Sequence, residues 1–443
     1  MLNINFFEDF YDVSHLSNYK QNIALSIAFA LSAALAGCQS NMLSETIVPA
    51  ESASQSNIIS SENVIKTYID IAQANYGDAL ISAKTLEQEI DSFLASPSEE
   101  NLAKAKQAWI NARIPYQQSE VYRFGNSVVD DWEGKVNAWP LDEGLIDYVG
   151  SAYGTESDEN PFYAANIIAN PKPLIGGKEI DASKISMVFL ADTLHEIDEV
   201  ESNVATGYHV IEFLLWGQDL HGTNPGAGMR PASDYSLNNC TGGNCERRQD
   251  YLKSATSLLV KDLGDIHQSW LGEGEAKLDL ISKGIDGGLS TMLTGMGSLA
   301  YAELAGERIK LGLMLHDPEE EHDCFSDNTH WSHFYDAKGI KNIYLGEYTR
   351  IDQSKVTGNS LSQLVRQIDT ALDDEMQSKL NITEQSMQVM VDQAVSGNTF
   401  DVLIGEGNTQ GNKIIRAILD ALVDQAKTTE KVILALNLQN NEQ

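Results

Sequence analysis

The chain is poor in positive charge. Against 64 Asp and Glu it carries 30 Lys and Arg, a formal net charge of −34 at pH 7. A polyphosphate partner needs clustered cations to displace its counterions, so this balance argues against nucleic acid. It suits attraction of cations, and equally a plainly solvated acidic surface. Long apolar runs are lacking as well. The run Ile23 to Leu31, extended by small residues to Ala36, falls short of the ~20 residues of a permanent membrane helix. Strand-type alternation is sparse, and neither an internal repeat nor an H-E-x-x-H zinc motif is present. Cysteines are few: three follow Cys38, namely Cys240, Cys245 and Cys324.

What the amino-terminal run does have is the length of a signal-peptide core, with Lys20 ahead of it. Leu35-Ala36-Gly37-Cys38 resembles the lipobox of bacterial lipoproteins, which implies removal of residues 1–37 and a lipid anchor on Cys38. A plain cleaved signal with a chance cysteine is the alternative. The leader departs from the usual pattern in its length and in Glu8, Asp9 and Asp12. Gln39 after the cysteine implies, by resemblance to lipoprotein sorting, the outer membrane, facing the periplasm or the cell surface. Residues 38–58, rich in Ser, Asn and Glu, read as a flexible tether. Export means an oxidising compartment, so the short Gly-rich segment Cys240–Cys245 is expected to close as a disulfide. Cys324 is left as a buried thiol, unless the pairing is otherwise.

Beyond the tether the pattern is helical. Apolar residues recur at three- and four-residue intervals over 61–94, and Ser98 followed by Glu99 and Glu100 opens a helix through Trp109 that Pro115 should kink or interrupt. Residues 125–180 are irregular. A helix over 202–216 ends at Gly217, and residues 218–245 form a long Gly/Pro/Asn-rich loop. Helices follow over 247–270, 276–315 (weak at Gly287-Gly288), 360–390 and 413–436. The fold class expected is all-α, with long helices packed as an antiparallel bundle.

The segment Gly207-Tyr-His209-Val-Ile-Glu212-Phe-Leu-Leu-Trp216 carries the chemistry. His209 and Glu212 are three apart and share a side of the helix. Their neighbours are apolar almost all round, and a buried carboxylate is costly unless paired or bound to a cation. An imidazole beside a carboxylate suits iron or zinc, and Gly207 permits a close approach to the backbone. A buried His–Glu pair without metal fits the spacing equally.

This run resembles the G-x-H-x-x-E signature of the imelysin family, and more closely its iron-regulated protein A branch. The resemblance extends through His221 to Tyr235, Trp109 to Gly125, Trp132 to Glu143, and Glu319 to His330. It implies an all-helical protein of two bundle-like domains with the signature site in a cleft between them, placed here at 59–245 and 246–443. It also implies export and involvement in iron acquisition, and some relatives are classed as metallopeptidases.

Further ligands must come from elsewhere in the chain. Glu120 is the first candidate, with Arg123 placed to orient it or to hold an anion; a surface Glu120–Arg123 pair is the alternative. Asp142 and Glu143 come next, either as site residues or as caps of a short helix. Arg230 could bind a carboxylate or a chelate carried by iron. His322, Asp323, Cys324, Asp327, His330 and His333 hold ligand types without a standard zinc spacing, and capping with loop solvation accounts for them better; His195-Glu196-Ile-Asp198 reads as a solvated helix face. The function expected is binding of a divalent or trivalent metal ion, iron or zinc first, or of a metal chelate, in concert with uptake proteins. A metal-dependent peptidase is the alternative, though no general base is identifiable in H-x-x-E. A structural or interaction lipoprotein without metal is the third.

Overall fold

The computed structural model describes residues 59–438, apart from Glu159 and Gly176. The signal segment, Cys38 and the tether lie outside the described residues. Among those described, no helix is long and apolar enough to cross a membrane.

Helices α1 (Ser61–Ala95) and α2 (Glu99–Gln117) start at Ser60 and Ser98, whose hydroxyls accept from the Asn63 and Asn101 amides. Pro115 falls in the last turn of α2, which ends two residues later at Gln117, and its carbonyl accepts from Asn75 at 2.6 Å. Short helices α3 (Ser127–Asn137), α4 (Glu143–Ile146) and α5 (Met187–Phe189) follow, with a two-residue hairpin of β1 (Leu174–Ile175) and β2 (Lys178–Glu179) between the last two. Helix α6 (Gly207–Trp216) is buried at all ten positions, as its unbroken apolar run requires. It begins at Gly207, five residues later than the periodicity predicts. Thr206 is extended, and Gly207 adopts φ +87° where a Cβ would lie 2.5 Å from the Val136 carbonyl oxygen. The close approach that Gly207 permits is therefore by the protein's own backbone.

The remainder comprises α7 (Cys245–Trp270), α8 (Glu275–Ser282), α9 (Gly284–Ser298), a wider π-type stretch (Leu299–Lys310), α10 (Leu311–Leu315), α11 (Thr329–Leu345), α12 (Leu361–Ile368), α13 (Thr370–Val395), α14 (Phe400–Ile404) and α15 (Thr409–Ala435). A second hairpin joins β3 (Glu347–Thr349) and β4 (Lys355–Thr357). The expected weak point at Gly287-Gly288 is displaced: the break comes at Gly284, φ +71°, whereas a Cβ on Gly288 would meet Ile65 at 2.8 Å. That glycine lets α9 lie close on α1. The helix predicted over 360–390 is two, parted at Asp369, which is extended and caps α13 by accepting from Ala371 and Leu372.

Helices α1, α2 and α7 pack together, with α3 and α6 against them, while α13, α15, α11, α9 and the π-type stretch form the second assembly of long helices. The expected division near residue 245 falls at the start of α7, and α7 runs along α1 and α6. In the first assembly, Tyr68, Tyr76, Tyr122, Trp132 and Trp270 interlock with ring centroids as near as 4.7 Å. Burying each ring contributes roughly 1.5–3 kcal/mol. Helix α11 lies on α2, where a Cβ at Gly339 would meet the Gln118 carbonyl oxygen at 2.5 Å. This contact carries the segment between α10 and α11 in beneath α6.

Candidate metal centre

Three elements build the site. Helix α6 supplies His209 and Glu212, one turn apart. The segment 318–328 supplies His322 and Asp323, and α2 supplies Arg113. The segment is held by the Trp139 indole on the Glu321 carbonyl (3.2 Å), the Gly228 amide on the Phe325 carbonyl (2.9 Å), and the Thr329 hydroxyl, which accepts from the Asp323 amide at 2.8 Å. His209, Glu212, His322 and Asp323 are each no more than 1% exposed.

Glu212 stands behind His209. Its Oε2 is 3.2 Å from His209 Nδ1, while its Oε1 accepts from both the amide and the hydroxyl of Ser326, at 2.9 and 2.7 Å. Asp323 accepts from Arg113 (2.7 Å), Asn328 (3.0 Å) and the Ser332 hydroxyl. The ligand atoms that converge belong to His209, His322 and Asp323, one from each within 4.8 Å of the other two. His209 Nε2 and both ring nitrogens of His322 have no protein partner. The two rings meet edge to face, centroids 4.7 Å apart.

Electrostatics tune these groups as ligands. Burial, reinforced by Arg113, lowers the His209 imidazole to about 3. Burial, then Arg308 and His209, hold His322 well below its ordinary value. Both rings are neutral at neutral pH, the form that coordinates a metal. Burial opposes ionisation of Asp323, but the Arg113 charge outweighs it and keeps the carboxyl below the usual range. Burial and then Asp323 push Glu212 well above the carboxylate range. The net arrangement is two buried neutral imidazoles and one buried carboxylate, a donor set that both ferrous iron and zinc accept.

The other predicted residues lie in different settings. Glu120 is buried, but Arg308 takes its carboxylate at 2.9 Å, and it is not among the atoms gathered around His209. Arg123 bonds Asp130 at 2.8 Å and lies 3.6 Å from both Glu133 and Glu303, rather than pairing with Glu120. Asp142 accepts from Asn160 (2.5 Å) and Ser202 (2.7 Å) and ties two loops together. Glu143 lines a small acidic recess with Asp219, Glu319 and Cys324, and burial followed by Glu319 pushes it up to about 8. Arg230 is buried, bonded to Asp147 at 2.6 Å and lying 3.4 Å from Asp234; it also borders a cleft of about 340 Å³. Cys240 and Cys245 form a disulfide, and Cys324 is a free thiol. His195 sits against the Ala205 amide at 3.3 Å and burial lowers its pKa.

Sequence reasoning thus named His322 and Asp323 but assigned them to capping and solvation. The usable signal was the resemblance of the Glu319 to His330 run. Arg113 lies in the Trp109 to Gly125 run of that resemblance, whereas Arg308 and Asp336, 3.1 Å apart, left no signal as site residues.

The profile of the family described as Imelysin matches residues 72–429. A segment of 89 residues is 28% identical to iron-regulated protein A of Synechococcus elongatus, covering 20% of this chain and 25% of that relative. The match therefore spans a quarter of that relative's length. A crystal structure described as an iron-regulated protein A precursor from Parabacteroides distasonis superposes with a TM-score of 0.61 at 19% identity, over 85% of this chain and 94% of that one. At that identity the likeness speaks for the fold.

Proposed function

Since this chain belongs to the imelysin family, we propose that it binds a metal ion on His209, His322 and Asp323 and serves iron acquisition. The observation that carries the reading is the convergence of two buried imidazoles with a carboxylate, where His209 Nε2 and both His322 ring nitrogens have no protein partner. A buried polar group left unpaired costs about 1–3 kcal/mol, and a cation would relieve several at once. Glu212 and Arg113 would position the ligands, the first by orienting His209 and the second by keeping Asp323 ionised. Burial of His209, His322 and Asp323 favours a bare ion over haem or an organic chelate. Two imidazoles and one carboxylate favour ferrous iron or zinc. Export, lipidation at Cys38 and delivery to uptake proteins complete the proposal; their support is the lipobox-like run.

The test is elemental analysis of the chelator-treated protein after equilibration with Fe²⁺, Fe³⁺ or Zn²⁺, beside His209→Ala and His322→Ala. Wild type should retain one equivalent that both variants lose. Equal retention in all three would refute the reading. Chelator-sensitive peptide hydrolysis that vanishes in His209→Ala would replace it with the peptidase alternative.

A further inference from the structure

The described residues contain a second convergence of ligand atoms that the His209 centre does not use. Asp219 follows α6 in the long loop, Asp327 lies in the turn before α11, and Asp401 opens α14. One carboxylate oxygen from each lies within 4.8 Å of the other two. An acidic cluster alone proves little, because exposed acids often gather with only water between them. Here the acids are not exposed. Asp401 is 0% exposed and neither of its oxygens has a hydrogen-bond partner. The nearby Thr399 hydroxyl and Val402 amide temper its charge, but neither completes a bond to it. Asp327, 8% exposed, likewise leaves Oδ1 without a partner. Behind them Glu321, 1% exposed, has an unpartnered Oε1 and senses both aspartates.

The three carboxylates repel one another, and at Asp327 this is opposed by His221 and the Gly226 amide. Asp327 faces Asp401 and Asp219, with His221 the opposing contributor, and His221 itself is engaged by Asp219 at 2.8 Å. The unpartnered oxygens of Asp327 and Asp401 are costly to bury unless a cation joins them.

We propose that Asp219, Asp327 and Asp401 form a second metal site, one that takes a hard divalent cation of the calcium class. The chemistry follows from the donors. They are all oxygen, with neither nitrogen nor sulfur to attract zinc or ferrous iron. Calcium–oxygen bonds run about 2.3–2.6 Å, so ligands on opposite sides of one ion stand about 4.8 Å apart. The three oxygens can therefore share a single ion. Three carboxylates from protein, with backbone carbonyls and water to complete the shell, match calcium's irregular six to eight ligands; magnesium demands a strict octahedron and keeps most of its water. The ion would have a structural consequence too. Asp219 lies three residues beyond Trp216, the end of α6, Asp327 adjoins the Ser326 that holds Glu212, and Asp401 belongs to the C-terminal helices. One cation would brace the three segments that surround the His209 centre.

Chelator-treated protein, melted with and without millimolar Ca²⁺ or Mg²⁺, tests this. Calcium should raise Tm by ~3 °C or more, as binding to the folded state alone requires. Asp327→Asn/Asp401→Asn should abolish the response and melt no lower than wild type without calcium, because it removes repulsion. His209→Ala/His322→Ala should keep the calcium response in full, so failure of the His209 reading leaves this one standing, and the reverse. Should the double Asn variant fail to fold, Asp219→Asn, at the more exposed ligand, is read by equilibrium dialysis with radioactive calcium. Its Kd should rise at least ~10-fold. A wild-type Tm unmoved by calcium, a response that persists in the double Asn variant, an unchanged Kd in Asp219→Asn, or a larger response to Mg²⁺ than to Ca²⁺ would each overturn the assignment.

Discussion

Arg113 and Asp323 meet at 2.7 Å with side chains 1% and 0% exposed, the guanidinium reaching from α2 and the carboxylate from the segment beneath α6. The arginine also donates to Asn137 at 2.6 Å, and its charge lies 5.0 Å from the Tyr208 ring. Through this pair α2 keeps the Asp323 carboxyl below its usual range against the effect of burial. The same positive charge adds to burial in lowering the His209 imidazole.

Replacing Arg113 with Met would leave Asp323 buried without its counter-charge. The expected cost is about 3–5 kcal/mol in urea unfolding of the chelator-treated protein. Addition of Fe²⁺ or Zn²⁺ should recover part of that loss in Arg113→Met, because a cation at the ligands takes over the neutralisation. No recovery would count against Asp323 as a ligand.

His322→Ala and Glu120→Gln separate the proposed ligand set from the one expected from the sequence. Loss of the His322 ring should weaken metal binding by about 100-fold or more in competition with a chromophoric chelator. Glu120→Gln should leave affinity within about threefold, since its carboxylate serves Arg308. Its effect should appear as lost stability, about 3 kcal/mol, from an Arg308 left short of one partner.

Glu143 makes stability depend on pH. Its carboxyl is raised to about 8 in the folded protein, by burial first and Glu319 second. The unfolded chain ionises near 4.5, so the folded state binds the extra proton between these values. Stability is then full below about 4.5 and declines as pH rises through about 8, at up to ~1.4 kcal/mol per unit. Glu143→Gln should flatten that decline in chelator-treated protein and equal or exceed wild type at pH 8. A parallel decline in both proteins would assign the effect elsewhere.

Gly207→Ala should be among the most damaging single changes. The residue sits at φ +87°, and the added methyl would lie 2.5 Å from the Val136 carbonyl oxygen, which is backbone and cannot rotate away. Left-handed strain plus this overlap is expected to cost roughly 2–4 kcal/mol. The measurement is the urea midpoint, with an unchanged midpoint disproving the packing account.

Much of the site was legible because α6 is chemically unusual. A run with apolar neighbours on every side can only be buried, so His209 and Glu212 had to sit in the interior whatever the rest of the fold did. The other half was not legible. His322 and Asp323 lie in an irregular segment, where no period relates position to face, and solvation was the reasonable reading. Glu120 misled because its neighbour in sequence, Arg123, turns to Asp130, while Arg308, far along the chain, takes the carboxylate. The helix boundaries show the same division. Ser98 caps where its sequence context predicts, since a cap is decided within four residues. Asp369 breaks one predicted helix into two because the apolar period runs unbroken across it and only packing shows the change of axis.

The sequence by itself determined the helical class, the burial of the His209 helix and the starts of α1 and α2, all of which rest on interactions between residues within a few positions of one another. Tertiary structure alone decided which distant side chains completed the centre: that His322 and Asp323 face His209, that Arg113 governs their charge, and that three aspartates from separate segments converge beside them. Those outcomes depend on how α2, α6 and α11 pack, and packing is set by shape complementarity summed over the whole core, which no local pattern of residues encodes.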